Sequence, residues 1–486
     1  MTKLNRDVLL LIFQELEYDP NTLFSCLLVN KAWCEIAVPV LWKNPWRYNV
    51  NYGNKIHLFY IITLLFINNI NKYITNQLYQ IPTKTFLFNY LSFCRSIDIN
   101  IISVISTIGS HLTYNQFFIQ EKIINILLNK CDRIKYLDMR SIKHQIFYFP
   151  NAKFHLKSLH ELICDTTIDF SFFYGFSNIC NNIENIIVIN RSIKANPGLI
   201  ELIRVQQNLK YFEWRDELDD DQLLLFEEPP YEEIFLILKL KKDTLLHLKM
   251  YFLYIFLFEI QEIISELINL RTLVAADFCF FSERQLPIFK FKHLETLQLD
   301  HVTFKAITDV IKNSGGALKD ILMKHYDHFR CDIHFDEDSL TFIRTIYEHC
   351  PSVECLSLLF PPTKEHIAEF EKLLKRCENL KSVLILISNV DIVENEEVYG
   401  KELLEALSRS APANLREIRF VDDLSFPLKI LESFLESWRN RSAISIYMNH
   451  HAYEGESYMN LLNKYKIEGV IKNFKREFER DIYYSV

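Results

Sequence analysis

Glycine is scarce in this 486-residue chain, which has nine in all where ordinary usage is about 7%. The only close pair is Gly315-Gly316. No G-x-G-x-x-G, G-x-x-x-x-G-K-S/T or G-x-S-x-G can be written, which excludes the common nucleotide-binding loops and the nucleophile elbow of α/β-hydrolases. Eleven cysteines are present without one C-x-x-C, so neither a disulfide framework nor a paired-cysteine zinc module is expected. Long apolar runs are missing too: Ile56 to Ile67 and Tyr251 to Phe258 fall short of the roughly 18 to 20 residues that span a bilayer. Basic charge is in deficit, with 54 Lys and Arg against 62 Asp and Glu and a net charge of -8, which argues against nucleic acid as a partner. With an acid at Asp7 and no small-residue cleavage site near the N-terminus, no secretory signal is expected. A soluble protein of the cytoplasm or nucleus, with reduced thiols and no membrane contact, is expected.

Apolar residues are plentiful. At 49% hydrophobic and 14% aromatic, the chain can bury a core without disulfides or metal. Its length suits about three domains or one repetitive array.

The first forty-five residues read as three short helices. Val8, Leu9, Ile12, Phe13 and Leu16 fall on one stripe. Asn5 is a credible N-cap, Asp19-Pro20-Asn21 is a break, and Pro39 with Asn44-Pro45 closes the unit. A unit this small cannot bury both Trp33 and Trp42 and all its leucines, so its apolar surplus implies a partner surface.

Leu4-Asn5-Arg6-Asp7-Val8-Leu9-Leu10-Leu11-Ile12-Phe13, then Leu23, Val29-Asn30-Lys31-Ala32-Trp33 and Leu41-Trp42 resemble the F-box family. Asn5 stands where that family usually has proline. The resemblance implies docking onto a Skp-family adaptor, and through it a cullin ubiquitin ligase, with Leu4, Leu9, Ile12, Phe13, Val29, Trp33, Leu41 and Trp42 as the adaptor-binding residues. A helical cap on the end of a larger domain is the alternative for these residues.

Beyond residue 100 the pattern apolar-x-x-apolar-x-apolar recurs, anchored at Ile134, Leu159, Ile183, Leu209, Leu245, Leu270, Leu294, Leu318, Val353, Leu380 and Leu415. Seven of the ten intervals are 24 to 27 residues and three are 35 or 36, a period that single chance matches would not produce. A weaker copy begins at Cys94. Each copy contains a period-two strand and is followed by helix-like spacing, as in Glu365 to Leu374. One strand and one helix cannot bury their own apolar sides, so the units must stack, with parallel strands inside and helices outside. This resembles the leucine-rich repeat, although the usual asparagine or cysteine eight residues after the anchor is replaced by Val302, Pro361 and Ser388. Cys131, Cys180, Cys350 and Cys377, each three residues before an anchor, are expected to be buried core thiols.

The expected fold is α/β: an F-box over residues 1–45, a helical linker over 46–92, an irregular leucine-rich-repeat solenoid over 93–449 and a helical cap over 450–486. The cap is read from a helical stripe of Ile467, Val470, Ile471, Phe474, Phe478 and Ile482. Strand alternation puts positions three and five after each anchor into the core and positions two, four and six on the inner wall. That assigns Tyr136, Asp138 and Arg140, Tyr211, Glu213 and Arg215, and His247, Lys249 and Tyr251 to the wall. Tyrosine and arginine dominate binding hot spots. Tyr136, Arg140, Tyr211, Arg215, His247, Lys249 and Tyr251 are therefore the candidate contacts for a protein substrate.

Other constellations give no chemistry. His325, His328, Cys331 and His334 step by three and match no common ligand spacing, so no metal or cofactor is expected. The acidic stretch Glu213 to Glu233 fails as a calcium loop at Leu218 and Asp221 and reads as a solvated insertion. No motif marks a catalytic residue. The sequence points to a non-catalytic substrate-recognition adaptor of a ubiquitin ligase, with a repeat scaffold or inhibitor as the rival.

Overall fold

The computed structural model describes residues 5–46, 64–65, 87–218, 231–280, 289–324, 335–387, 396–420, 426–448, 453 and 455–476, apart from positions 18, 193, 257 and 362. The expected linker therefore lies largely outside the described residues. The chain forms two compact units, residues 1–238 and 239–486.

Three helices open the first unit: α1 (Arg6–Glu15), α2 (Pro20–Leu27) and α3 (Lys31–Lys43). Each begins where a short polar side chain accepts an orphan amide of the first turn. Asn5 accepts from the Asp7 N–H, Asp19 from Thr22 at 3.1 Å, and Asn30 from Trp33 at 3.0 Å. Their shared core is Leu9, Phe13, Leu23, Cys26, Ile36, Ala37, Val40 and Leu41. Pro39 does not end the third helix as its sequence suggests. It lies inside α3, where it forfeits one ladder bond while buried Ala37, Val38, Val40 and Leu41 hold the turns on both sides.

After α4 (Tyr90–Phe93), strand–helix units follow: β1 (Ser96–Asp98), α5 (Ile99–Gly109), α6 (Thr113–Lys130), β2 (Tyr136–Asp138), α7 (Ala152–Leu156), β3 (Glu161–Asp165), α8 (Phe170–Ser177), β4 (Asn185–Asn190), α9 (Pro197–Val205), β5 (Tyr211–Asp216) and α10 (Tyr231–Lys239). β1 to β5 pair in chain order, all parallel. The second unit repeats the scheme with β6 (His247–Phe256), α11 (Phe258–Ser265), β7 (Thr272–Phe280), β8 (Thr296–Asp300), α12 (Phe304–Lys312), β9 (Asp320–Lys324), α13 (Phe335–His349), β10 (Cys355–Phe360), α14 (Lys364–Arg376), β11 (Ser382–Ile387), α15 (Glu396–Ser410), β12 (Glu417–Phe420), α16 (Leu428–Ser437), β13 (Ile444–Met448), α17 (Glu456–Ile467) and β14 (Ile471–Arg476). These strands also pair in order and in parallel.

All eleven predicted anchors are at most 2% exposed, and each is followed two residues later by the first residue of a strand. Positions three and five behave likewise: Leu137, Met139, Phe212, Trp214, Leu248 and Met250 are buried. Cys131, Cys180, Cys350 and Cys377 are also buried, and each donates its backbone N–H to a carbonyl four residues back, closing the last helical turn before the chain runs to the strand.

The missing turn asparagine is replaced one position earlier. In the first unit Thr166, Asn190 and Asp216, each seven residues after an anchor, form a ladder. The Thr166 hydroxyl donates to Asn190 Oδ1 at 3.0 Å, and Asn190 Nδ2 donates to Asp216 Oδ1 at 2.9 Å. At Ser141 and His301, the same position takes positive φ (61° and 55°).

The C-terminal stripe is not one helix. α17 stops at Ile467, Gly469 turns the chain at φ +77°, and the Val470 N–H reaches back to the Tyr465 carbonyl at 2.9 Å, the bond pattern of a Schellman cap. Ile471 and Phe474 then lie on strand β14. A bulge there lets residues three apart pair with Ile444 and Ile446, two apart, and so imitates helical spacing. Phe478 and Ile482 lie outside the described residues.

Candidate functional site

α1 is apolar from Val8 to Phe13 without interruption. Once Leu9 and Phe13 enter the core, the rest must face out. Val8, Leu10, Leu11 (63%) and Ile12 are exposed on α1, and Phe24, Leu28 (88%) and Val29 are exposed on and just after α2. Transfer of such side chains out of water is worth roughly 1.5 to 3 kcal/mol each when complete. α1 and the end of α2, both packed on α3, thus present exposed apolar side chains suited to an apolar partner.

The predicted adaptor contacts divide accordingly. Leu9, Phe13 and Leu41 are core, whereas Ile12 and Val29 are exposed. Trp33 and Trp42 are half-buried, Trp33 edge-on to Phe13 at 5.4 Å and Trp42 against Tyr90 at 4.5 Å. Leu4 lies outside the described residues. Leu11, Leu28 and Phe24 were not singled out by spacing.

The end of α3 is bolted to the first strand. Trp46, 4% exposed, donates its indole N–H to the Ser96 carbonyl at 3.0 Å. The Lys43 carbonyl accepts from the Arg95 N–H at 2.9 Å and from the Ser96 hydroxyl at 3.2 Å.

Register places the wall residues of the first unit in rows. One row is Ser96, Tyr136, Glu161, Asn185 and Tyr211; the next is Asp98, Asp138, Ile163, Ile187 and Glu213. Tyr136 and Tyr211 share a row but are separated by two strands. Each begins the same triplet of tyrosine, acid and arginine at alternate positions. Arg140 grips both oxygens of Asp138, with Nη2–Oδ2 at 2.6 Å, and Arg215 and the Tyr211 hydroxyl both bond Glu213. Asp138 and Glu213 are fully buried, Tyr136, Arg140 and Tyr211 half-buried and Arg215 exposed.

Asp98 pairs in register with Asp138, and its carboxylate caps α5 by accepting the Ile101 N–H at 2.8 Å. It is 7% exposed. Burial, and then the neighbouring Asp138, push its pKa up to about 6. Burial also raises the Tyr136 phenol, which stays neutral.

His247, Lys249 and Tyr251 belong to the second unit, half-buried on β6. His247 Nδ1 lies 2.9 Å from the Thr272 hydroxyl, and burial together with Arg271 and Lys249 lowers its pKa, favouring the neutral ring. Further along that wall, Val274, Leu322, Ser357, Leu384 and Arg419 are all buried. The Ser357 hydroxyl enters the ladder itself, accepting the Met323 N–H at 2.6 Å.

His325, His328, Cys331 and His334 and most of the acidic insertion lie outside the described residues. Among the described residues no group of three or more His, Cys, Asp or Glu side chains could hold a metal, and no helix is long and apolar enough to cross a membrane.

Residues 6–48 match the F-box-like family model. No curated protein sequence matches the chain. Among solved structures, the leucine-rich repeat-containing protein LegL7 from Legionella pneumophila aligns at 11% identity and a TM-score of 0.31, covering 71% of this chain and 91% of that one. The Rad7 and Elc1 complex in yeast aligns at 12% identity and a TM-score of 0.35, covering 68% and 86%. The chain carries an F-box-like domain over residues 6–48, followed by repeated strand–helix units with parallel strands paired in chain order within each compact unit.

Proposed function

We propose that this chain is the substrate-recognition subunit of a Skp–cullin–F-box ubiquitin ligase, a non-catalytic adaptor working in the cytoplasm or nucleus. F-box domains bind Skp1-type adaptors. The observation that carries the reading is the uncovered apolar surface of α1 and α2 within the matched segment. The repeat units then supply the wall on which a protein substrate is held.

Because Leu11 and Leu28 are exposed, Leu11→Asp with Leu28→Asp spares the core. The double variant is expected to lose co-purification with a Skp-family adaptor while its melting temperature stays within about 2 °C of the parent, since surface substitutions usually change stability by less than about 0.5 kcal/mol. Full adaptor capture by that variant refutes the reading.

The bolted end of α3 favours a second reading. Trp46 and Lys43 occupy the backbone of the first strand, as they would if the helices merely sealed the array and the repeats acted as a scaffold or inhibitor. In that case no adaptor binds at all.

A further inference from the structure

We infer that the wall formed by β1 to β5 receives an extended basic segment of the substrate, with Lys or Arg side chains held over the Asp98–Asp138 pair and apolar side chains on Ile163 and Ile187; this rests on the substrate-recognition reading above. The two walls differ. In the second unit the middle row, from Val274 through Leu384 to Arg419, is buried. In the first unit Ile163 and Ile187 sit half-exposed at the centre of their row, an apolar floor about two strands wide between polar ends.

Charge decides what fits. The wall rows hold Asp98, Asp138, Glu161, Asp165 and Glu213 against Arg140 and Arg215. Arg140 holds Asp138, and Arg215 bonds Glu213. Asp165 turns to the Thr167 N–H and hydroxyl. Asp98 accepts the Ile101 N–H and shares the field of Arg140, whose guanidinium is hydrogen-bonded to Asp138. It stands one strand, about 4.8 Å, from Asp138, with two carboxylates to one arginine. Two carboxylates sharing one guanidinium leave an excess of negative charge in a low-dielectric wall, and its field favours an incoming cation. An anionic segment meets the same excess and is repelled.

The strand spacing sets the shape. An extended chain lying across the strands advances about 3.3 Å per residue, so apolar groups over β3 and β4 lie about two and about four residues from a cation over β1–β2, all on one face of the segment.

The test uses the full-length chain and two fluorescein-labelled nonapeptides, one with arginine and one with glutamate at position three, each with leucine at positions five and seven and serine elsewhere, so that the charge and both leucines share one face of the extended chain. Fluorescence anisotropy at pH 7.5 is expected to show the arginine peptide binding at least tenfold tighter than the glutamate peptide. Asp98→Asn keeps the cap acceptor for Ile101 and removes the excess charge, and it should weaken the arginine peptide at least fivefold while circular dichroism is unchanged. Ile163→Ser with Ile187→Ser, at half-exposed positions, should weaken it by a similar factor. Equal binding of both peptides, binding of neither, or an arginine peptide indifferent to Asp98→Asn overturns the inference. Adaptor capture is measured on the same preparations: a failed peptide test with capture intact overturns only the charge preference of the wall, and failed capture overturns the adaptor reading itself.

Discussion

Asp98→Asn should make the protein more stable at neutral pH. Its carboxyl has a pKa of about 6 in the folded chain against an ordinary 3.8, so the folded state binds this proton more tightly than the unfolded state does. Ionisation therefore costs stability. The cost is fully present above pH 6, shrinks as the pH falls from 6 towards 4, and vanishes below the unfolded value. A difference of about two units is worth about 3 kcal/mol, which applies with little solvent screening because the residue is only 7% exposed. Burial sets most of it and Asp138 adds to it, against the lowering by the Ile101 amide, Arg140 and the Asn100 amide. Asparagine mimics the protonated carboxyl and still accepts that amide, giving up only the charge–dipole part of the cap, about 0.3 to 1 kcal/mol. The net gain at pH 8 is about 2 kcal/mol, and near pH 4 it falls to about zero. Hydrogen exchange suits a long chain whose unfolding need not be all-or-none. Relative to the parent, amides of β1 and the first turn of α5 should exchange about thirtyfold more slowly at pH 8, with no difference near pH 4. Faster exchange in the variant at pH 8, or an equal gain at both pH values, refutes the reasoning.

Leu297→Ala and Leu356→Ala, both at fully buried positions between stacked units, should each destabilise by about 2 to 5 kcal/mol; thermal melting at parental values would mean that these side chains are not packed as described. Burial pushes the thiols of Cys180 and Cys377 up to about 12, so iodoacetamide at pH 8 should leave both unmodified in the native chain and label them after denaturation. Peptide mapping by mass spectrometry reads the difference, and rapid native labelling of either contradicts it.

The repeats were legible because one apolar position every 24 to 27 residues has a single physical job, filling the gap between a helix and the strand it feeds. β13 escaped the pattern because register puts Ala443 where an anchor should stand, too small to register as one. β14 escaped because its bulge disguised a strand as a helix. The docking surface was half legible. Six consecutive apolar residues in α1 carry no period, so spacing could not say that Leu9 and Phe13 turn inward while Leu11 turns out. On the wall, alternation put Asp138 and Glu213 on the inner face but could not foresee that arginine and tyrosine neighbours on the same strand would bury them. Asp98 became notable only through its register partner, a contact forty residues away that no local pattern encodes.

The bond between Trp46 and Ser96 has a mechanical consequence. A flexible tether between two binding surfaces lets each explore a volume, and the effective concentration of one at the other falls as the tether lengthens. Here the last turn of α3 and the backbone of β1 meet through a buried indole and two further hydrogen bonds to one carbonyl, so the surface on α1 and α2 and the wall of β1 to β5 hold a fixed bearing. Whatever docks at one is aimed at the other at a set distance and angle. Reach is then a property of the docked molecules' own dimensions, and a single rotation at Trp46 would misdirect both without weakening either.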